Sequence, residues 1–230
     1  MQVKTYLMIG AAVAAVLAAA PASAQTAFDG FYAGAGAGAQ KGNSVLDLTL
    51  TPMSGGTSIT NHYRASKEPT TPKATAFGGY NMSFDRWVVG GEIGYQPKYG
   101  NDRRNFAGNF LTSGPSSGLY TATARVGYLV EPDLMIYTFG GWAGQQRRTT
   151  VSAANTIARS AFSNGFTGGV GVEYALSSNM FMRGEAQYTD LGSSKGRYSL
   201  TLPTGGTGGT AVTRTSGAVY GATLSIGYRF

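Results

Sequence analysis

Cysteine is absent from this 230-residue chain, histidine occurs once, and charged residues make up only 13% of it. Without cysteine there is neither a disulfide framework nor a thiolate nucleophile. With His62 as the sole imidazole, the several His, Cys or carboxylate ligands of a zinc site are not assembled. A Ser/His pair would have to use that same residue, which sits in a Ser- and Thr-rich stretch with no fixed partner in view. Two glycine-rich runs, 34–38 and 205–209, lack the following Lys-Ser/Thr pair of a phosphate-binding loop. Beyond residue 24 no stretch approaches the ~18 apolar residues that a membrane-crossing helix needs. The net charge is +7, but the basic residues are scattered and form no single patch, so nucleic acid is not an expected partner. These absences leave no enzyme, metal or cofactor chemistry to expect.

What is present begins with a leader. Lys4 supplies a positive start, Leu7 to Ala20 is an unbroken apolar run, and Ala22-Ser23-Ala24 is a small-x-small cleavage site. The run is too short to span a bilayer, and Pro21 follows it. Residues 1–24 are therefore expected to be a cleaved signal peptide and 25–230 a single exported domain. An exported chain without disulfides must hold together by hydrogen bonding and packing.

The mature part alternates. Leu224, Ile226, Tyr228 and Phe230 form one face at a period of two, with Thr223, Ser225, Gly227 and Arg229 between them. The same pattern marks eight segments, at 31–40, 73–82, 87–96, 119–130, 134–147, 165–176, 180–189 and 218–230. Each is long enough for the roughly 9–11 residues of a tilted membrane strand. In the fifth segment Met135, Tyr137 and Phe139 are assigned to the outer face. Short Asp-, Pro-, Asn- and Ser-bearing turns at 83–86, 131–133 and 177–179 alternate with long Ser/Thr/Gly-rich connections at 41–72, 97–118, 148–164 and 190–217. Aromatic residues gather at two levels: Phe84, Trp87, Tyr128, Phe181 and Phe230 toward the short turns, and Tyr95, Tyr99, Tyr120 and Tyr188 toward the long connections. With no apolar helix, a closed barrel is the remaining way to cross a bilayer, because all its backbone bonds are made between strands. The predicted fold is all-β: an eight-stranded antiparallel transmembrane up-and-down β-barrel.

Several short stretches carry a resemblance. Phe31-Tyr32-Ala33-Gly34, Gly90-Gly91-Glu92-Ile93-Gly94-Tyr95, Ala124-Arg125-Val126-Gly127-Tyr128, the run from Gly169 to Leu176, the run from Arg183 to Gly192 and the closing Gly227-Tyr228-Arg229-Phe230 belong to it. Over roughly residues 28–230 the chain resembles the small eight-stranded outer-membrane β-barrel proteins of the alphaproteobacterial surface-antigen type, a porin family related to OmpA-like barrels. The resemblance implies a Gram-negative outer-membrane location and a structural, surface-exposed role in envelope integrity. It implies contact with host or environment through variable extracellular loops, and a terminal Phe230 read by the barrel-assembly machinery. It supplies no catalytic residues. The peptidoglycan-binding function of two-domain relatives is not expected of a chain ending at Phe230.

The inward faces of the predicted strands carry Glu92, Glu173 and Glu185 with Arg125, Arg183 and Arg229. Eight strands leave an interior just wide enough for side chains. Three carboxylates and three guanidiniums there are expected to form a hydrogen-bonded network that fills the lumen and fixes the register, or alternatively to gate a narrow pore. The remaining charges are lopsided. The long-connection side holds thirteen Lys and Arg, Lys73 among them, against four carboxylates, while the short-turn side is net negative. Arginine binds phosphate well, so Arg103, Arg104, Arg147 and Arg148 are the expected contacts to lipopolysaccharide. The chain is expected to be a monomer in outer-membrane lipid. A narrow channel and a loop-borne adhesin or binding module remain the alternatives.

Overall fold

The computed structural model describes residues 27–51, 53–54, 57–58, 61–67, 70–98, 104–106, 111–152, 156–200 and 209–230. The stretch read as a leader, together with Tyr99 and Arg103, lies outside them. Eight long strands dominate: β1 (Gly30–Thr51), β2 (Thr70–Phe84), β3 (Trp87–Gln96), β4 (Leu111–Glu131), β5 (Leu134–Ser152), β6 (Thr156–Ala175), β7 (Met180–Leu200) and β8 (Gly209–Arg229). Each pairs antiparallel with the next, and β8 returns to β1 from Tyr32↔Arg229 to Thr51↔Thr210, which closes the sheet into a barrel. Closure removes the sheet edges within the barrel wall, the condition for a β-structure to live in hydrocarbon. Two short strands lengthen the wall on the long-connection side: Asn61–Lys67 pairs with β1, and Arg104–Phe106 with β4.

The turns that join β2 to β3, β4 to β5 and β6 to β7 lie together at one end. Asp85 takes φ 56° in the first of them, a left-handed turn position that Asp tolerates. Leu129 N donates to Arg86 O at 2.8 Å and Arg229 N to Asn179 O at 2.7 Å, tying the first and last of these turns to a neighbouring strand.

At the other end the sequence expectation needs correction. Much of what reads as long loop is strand: β1 continues to Thr51, β5 to Ser152, and β6 begins at Thr156. Runs such as Val45-Leu46-Asp47-Leu48-Thr49-Leu50 keep the alternation and β-branched content that sustain a ladder, despite polar neighbours. The β7–β8 register shifts between Asp190 and Ser193, where Gly192 sits at φ 68° and its N–H bonds Asp190 Oδ1 at 2.7 Å. The pairing of β6 with β7 ends at Phe166↔Asp190, just beneath this bulge.

Exposure alternates as a bilayer-spanning wall requires. Leu224, Ile226, Tyr228 and Phe230 face outward, and Thr223, Ser225, Gly227 and Arg229 are buried. Outward aromatic pairs form two belts. Trp87–Tyr128 and Tyr228–Phe230 stand near the turns, and Tyr95–Tyr120 and Tyr188–Tyr220 toward the far end. On β3 the two levels are Trp87 and Tyr95, which pair with Tyr128 and Tyr120 on β4. At about 3.3 Å per residue and a tilt near 40° these levels are roughly 20 Å apart, close to the apolar band of an outer-membrane barrel.

Two assignments of facing are overturned. Met135 and Tyr137 are buried and Phe139 is partly buried against them, so these β5 residues point inward, while Ile136 and Trp142 face out. Phe181 is wholly buried and belongs to no belt. The cause is visible in the register: most inward rings lie opposite a glycine. Gly34 pairs with Phe77 and Gly227 with Phe181, and a Cβ on either glycine would overlap the ring. Gly79 with Tyr32, Gly169 with Phe139 and Gly171 with Tyr137 repeat the arrangement. Interior glycine thus makes room for aromatic packing, as well as for long charged side chains.

Candidate functional site

A transverse belt crosses the lumen near the turn end. Each strand contributes one member: Tyr32 from β1, Phe77 from β2, Glu92 from β3, Arg125 from β4, Tyr137 from β5, Glu173 from β6, Arg183 from β7 and Arg229 from β8. The alternation of each strand turns these side chains inward, and the cross-strand register brings them to one level; Glu173 pairs directly with Arg183, and Tyr32 with Arg229.

Glu173 is the hub. It accepts from Arg125 Nη2 at 2.9 Å, from Arg183 Nε at 3.0 Å and from Arg229 Nη2. Glu92 Oε2 accepts from Arg183 Nη1 at 2.6 Å and from the Tyr32 hydroxyl at 3.0 Å, and lies 3.5 Å from Arg125 Nη1. Arg125 Nη1 also donates to the Tyr32 hydroxyl at 3.1 Å. Glu185 is more peripheral: Tyr137 donates to it at 2.7 Å, and Arg183 Nη1 is 3.8 Å away. The guanidiniums are sandwiched by rings as well as paired. Arg183 lies 4.2 Å from the Phe77 centroid, Arg125 4.3 Å from Tyr137, and Arg229 4.7 Å from both Phe28 and Phe181. Planar guanidinium suits both contacts at once, which ammonium would not.

The six charged residues singled out from the sequence therefore meet in one network. The rings that pack against them, Tyr32, Phe77, Tyr137 and Phe181, are not among the site residues the sequence singles out. Their signal was the glycine on the adjacent strand, which is readable only once the register is known.

Above the belt lies a polar layer that contains a further correction. Lys73, counted with the outer rim from the sequence, is buried and donates to Gln187 Oε1 at 2.5 Å. Its parity on β2, shared with Phe77 and Asn81, turns it inward. Within the belt and this layer the described cations therefore outnumber the carboxylates by one, and the rim has one cation fewer. Gln96 reaches the same Gln187 oxygen at 3.4 Å, and Gln187 donates to Thr167 Oγ1 at 2.8 Å, which bonds Thr189. Below the belt, Phe28, Val88, Leu129, Met135 and Tyr137 form an apolar floor.

The rim arginines are less concentrated than their sequence adjacency suggests. Arg147 and Arg148 lie on β5, where consecutive residues take opposite sides; Arg147 is half-buried and Arg148 exposed. Arg104 begins the short strand Arg104–Phe106, and Arg103 is outside the described residues. His62 lies on Asn61–Lys67. Among the described residues no group of three His, Cys, Asp or Glu is placed to hold a metal ion.

Comparison with known proteins agrees with this architecture. A family model described as "outer membrane protein beta-barrel domain" matches residues 10–230. The 25 kDa outer-membrane immunogenic protein of Brucella abortus is 34% identical over 130 residues, 55% of this chain and 55% of that protein. The 31 kDa outer-membrane immunogenic protein of Brucella melitensis is 30% identical over 133 residues, 50% of this chain and 51% of that one. The chain spans about half the length of these curated relatives. Among solved structures, the outer membrane protease OmpT of Escherichia coli superimposes with a TM-score of 0.51 at 10% identity, covering 91% of this chain and 99% of that one, a likeness of fold alone. Ail, the attachment invasion locus protein of Yersinia pestis, gives 0.45 at 13% identity, with 87% and 99% covered.

Proposed function

Because the chain belongs to the outer membrane protein beta-barrel domain family, and so resides in the outer membrane of a Gram-negative bacterium, we propose that it is a structural barrel and surface antigen that contributes to envelope integrity and presents variable extracellular segments. The observation that carries this reading is the belt: all eight strands send a side chain into it, so the lumen is spent on internal contacts. The immunogenic character named for the Brucella proteins supports exposure at the surface. No enzymatic role is assigned: the charged residues of the belt are engaged with one another, and the sole histidine sits on an outer strand.

The contacts proposed for this role are outer-membrane lipid around the wall, lipopolysaccharide phosphate at Arg103, Arg104, Arg147 and Arg148, the barrel-assembly machinery at Phe230, and a host or environmental ligand at the loops. Substituting Gln for all four arginines should reduce thermal stabilisation by added lipopolysaccharide, more so at low salt, since exposed charges are screened over about 8 Å at physiological ionic strength. Equal stabilisation of both proteins would remove these residues from the role.

A narrow channel is the second reading, favoured by one observation: the Glu92 and Glu185 side chains each keep 16% of their surface accessible, so solvent reaches one side of the belt. Planar-bilayer recording of the refolded protein decides between the two. A silent bilayer supports the structural reading, and discrete conductance steps support the channel.

A further inference from the structure

The turn-side mouth of the barrel holds a piece of chain that is not part of its wall. Ala27 and Phe28 form a turn ahead of β1, and Phe28 is wholly buried. Its ring sits among Val88, Leu129, Met135 and Tyr137, with the Arg229 guanidinium 4.7 Å from its centroid. Side chains hold the backbone. Asn81, itself fully buried, donates from Nδ2 to Phe28 O at 3.1 Å, and Arg229 Nη1 donates to Ala27 O. Gly30, at φ 98°, then turns the chain out of the lumen, so that Phe31, the next residue, faces lipid.

These features are those of a bound ligand more than of a core residue. The pocket is apolar, drawn from several strands, and fitted with two convergent polar groups that hold backbone carbonyls. Occupation costs no strand pairing, because the segment precedes β1. We propose that the mouth is a seat for a short turn-forming peptide segment bearing an aromatic side chain, that Ala27–Phe28 fills it in cis, and that this cap closes the turn side of the lumen as a second layer beneath the charged belt. Arg229 links the two layers, since it touches the cap with one nitrogen and Glu173 with the other.

The absence of cysteine makes a direct test available. Val88→Cys places one thiol in the floor that Phe28 covers. The protein is refolded in micelles and treated with a charged, water-soluble maleimide, with heat-modified gel mobility as the folding control. Labelling of the introduced thiol should be slow in the capped barrel. It should accelerate about tenfold or more in Phe28→Ala, the ratio produced by losing ~1.4 kcal/mol of seating. Asn81→Leu, which keeps bulk and loses the donor, should lie between. Glu173→Gln, which disturbs the belt and leaves the cap in place, should accelerate it less than Phe28→Ala. If Phe28→Ala fails the folding control, Phe28→Leu, which retains apolar bulk and loses the ring face over Arg229, carries the comparison at smaller amplitude. Labelling that does not respond to position 28, or that responds as strongly to Glu173→Gln, overturns the cap.

Discussion

Replacing Glu173 with Gln removes one charge from the centre of the belt and almost no volume. Three guanidiniums converge on that carboxylate, and arginine cannot shed its proton to adapt. The amide keeps one acceptor oxygen but turns an NH2 group toward at least one of the three donors. Loss of an ordinary neutral hydrogen bond costs about 0.5–1.5 kcal/mol, whereas removing one partner of a buried ion pair costs ~3–5 kcal/mol because the other charge stays buried. The second figure applies, since Arg125, Arg183 and Glu173 are almost wholly excluded from solvent. Some of the loss is offset by Glu92, which already holds Arg183 and lies beside Arg125; Arg229 has the Ala27 carbonyl as its other acceptor. Urea unfolding in phospholipid vesicles, followed by the fluorescence of Trp87 and Trp142 on the outer wall, measures the effect. For a slope of ~1–3 kcal/mol per molar urea, the full loss would lower the midpoint by roughly 1–5 M, and the offset by Glu92 and Ala27 keeps the expected fall toward the lower end of that range. Arg229→Met in the Glu173→Gln background should cost less than it does alone, by ~0.5–3 kcal/mol of coupling. An unchanged midpoint with unchanged slope would mean that water already solvates the belt, and the argument for a filled lumen would fall with it.

Three further outcomes are expected. Gly227→Ala should destabilise the barrel by ~1–3 kcal/mol through overpacking against Phe181, and Phe181→Leu should recover much of that loss; equal midpoints for Gly227→Ala and wild type in the same urea assay would show that the ring moves aside freely. The protein should fold only with detergent or lipid and migrate as a compact band in SDS until boiled, because β3, β6 and β8 all turn apolar side chains outward; a monodisperse monomer in detergent-free buffer would contradict the wall. Deleting Phe230, which is exposed on the lipid face, should lower outer-membrane levels in cells more than it lowers the urea midpoint of the refolded protein, and quantitative surface labelling at wild-type level would count against that role.

The wall was legible in the sequence because burial imposes a strict period of two, and most of the segments have large apolar residues chiefly at one parity. The fifth does not. Leu134, Ile136 and Trp142 stand at one parity, and Met135, Tyr137 and Phe139 at the other, so periodicity alone could not orient it. Its orientation follows from Gly169 and Gly171 across the ladder, a non-local fact. Lys73 departs from the sequence expectation for a different reason. It stands at the edge of its segment, where the alternation that turns Ala74 and Ala76 outward already requires it to point in, but its charge suggested the rim. The charged belt members were readable singly from parity. That they meet at one level depends on the stagger between strands, which the sequence does not display. The long outer strands were hidden by their Ser, Thr and Gly content, which is shared by loops and by ladders that no longer face lipid.

The belt also constrains how such a protein can change over generations. Each hairpin supplies two of its members, and most of these are charges or partners to a charge. A barrel that gained or lost a hairpin by duplication or deletion would strand a buried arginine or carboxylate, and a strand that slipped by one residue would carry its charge into hydrocarbon, at ~2–4 kcal/mol for arginine near the midplane. Strand number and stagger are thereby locked from inside, while the segments above the membrane, whose described residues are not members of the belt, are free to diverge under selection at the cell surface.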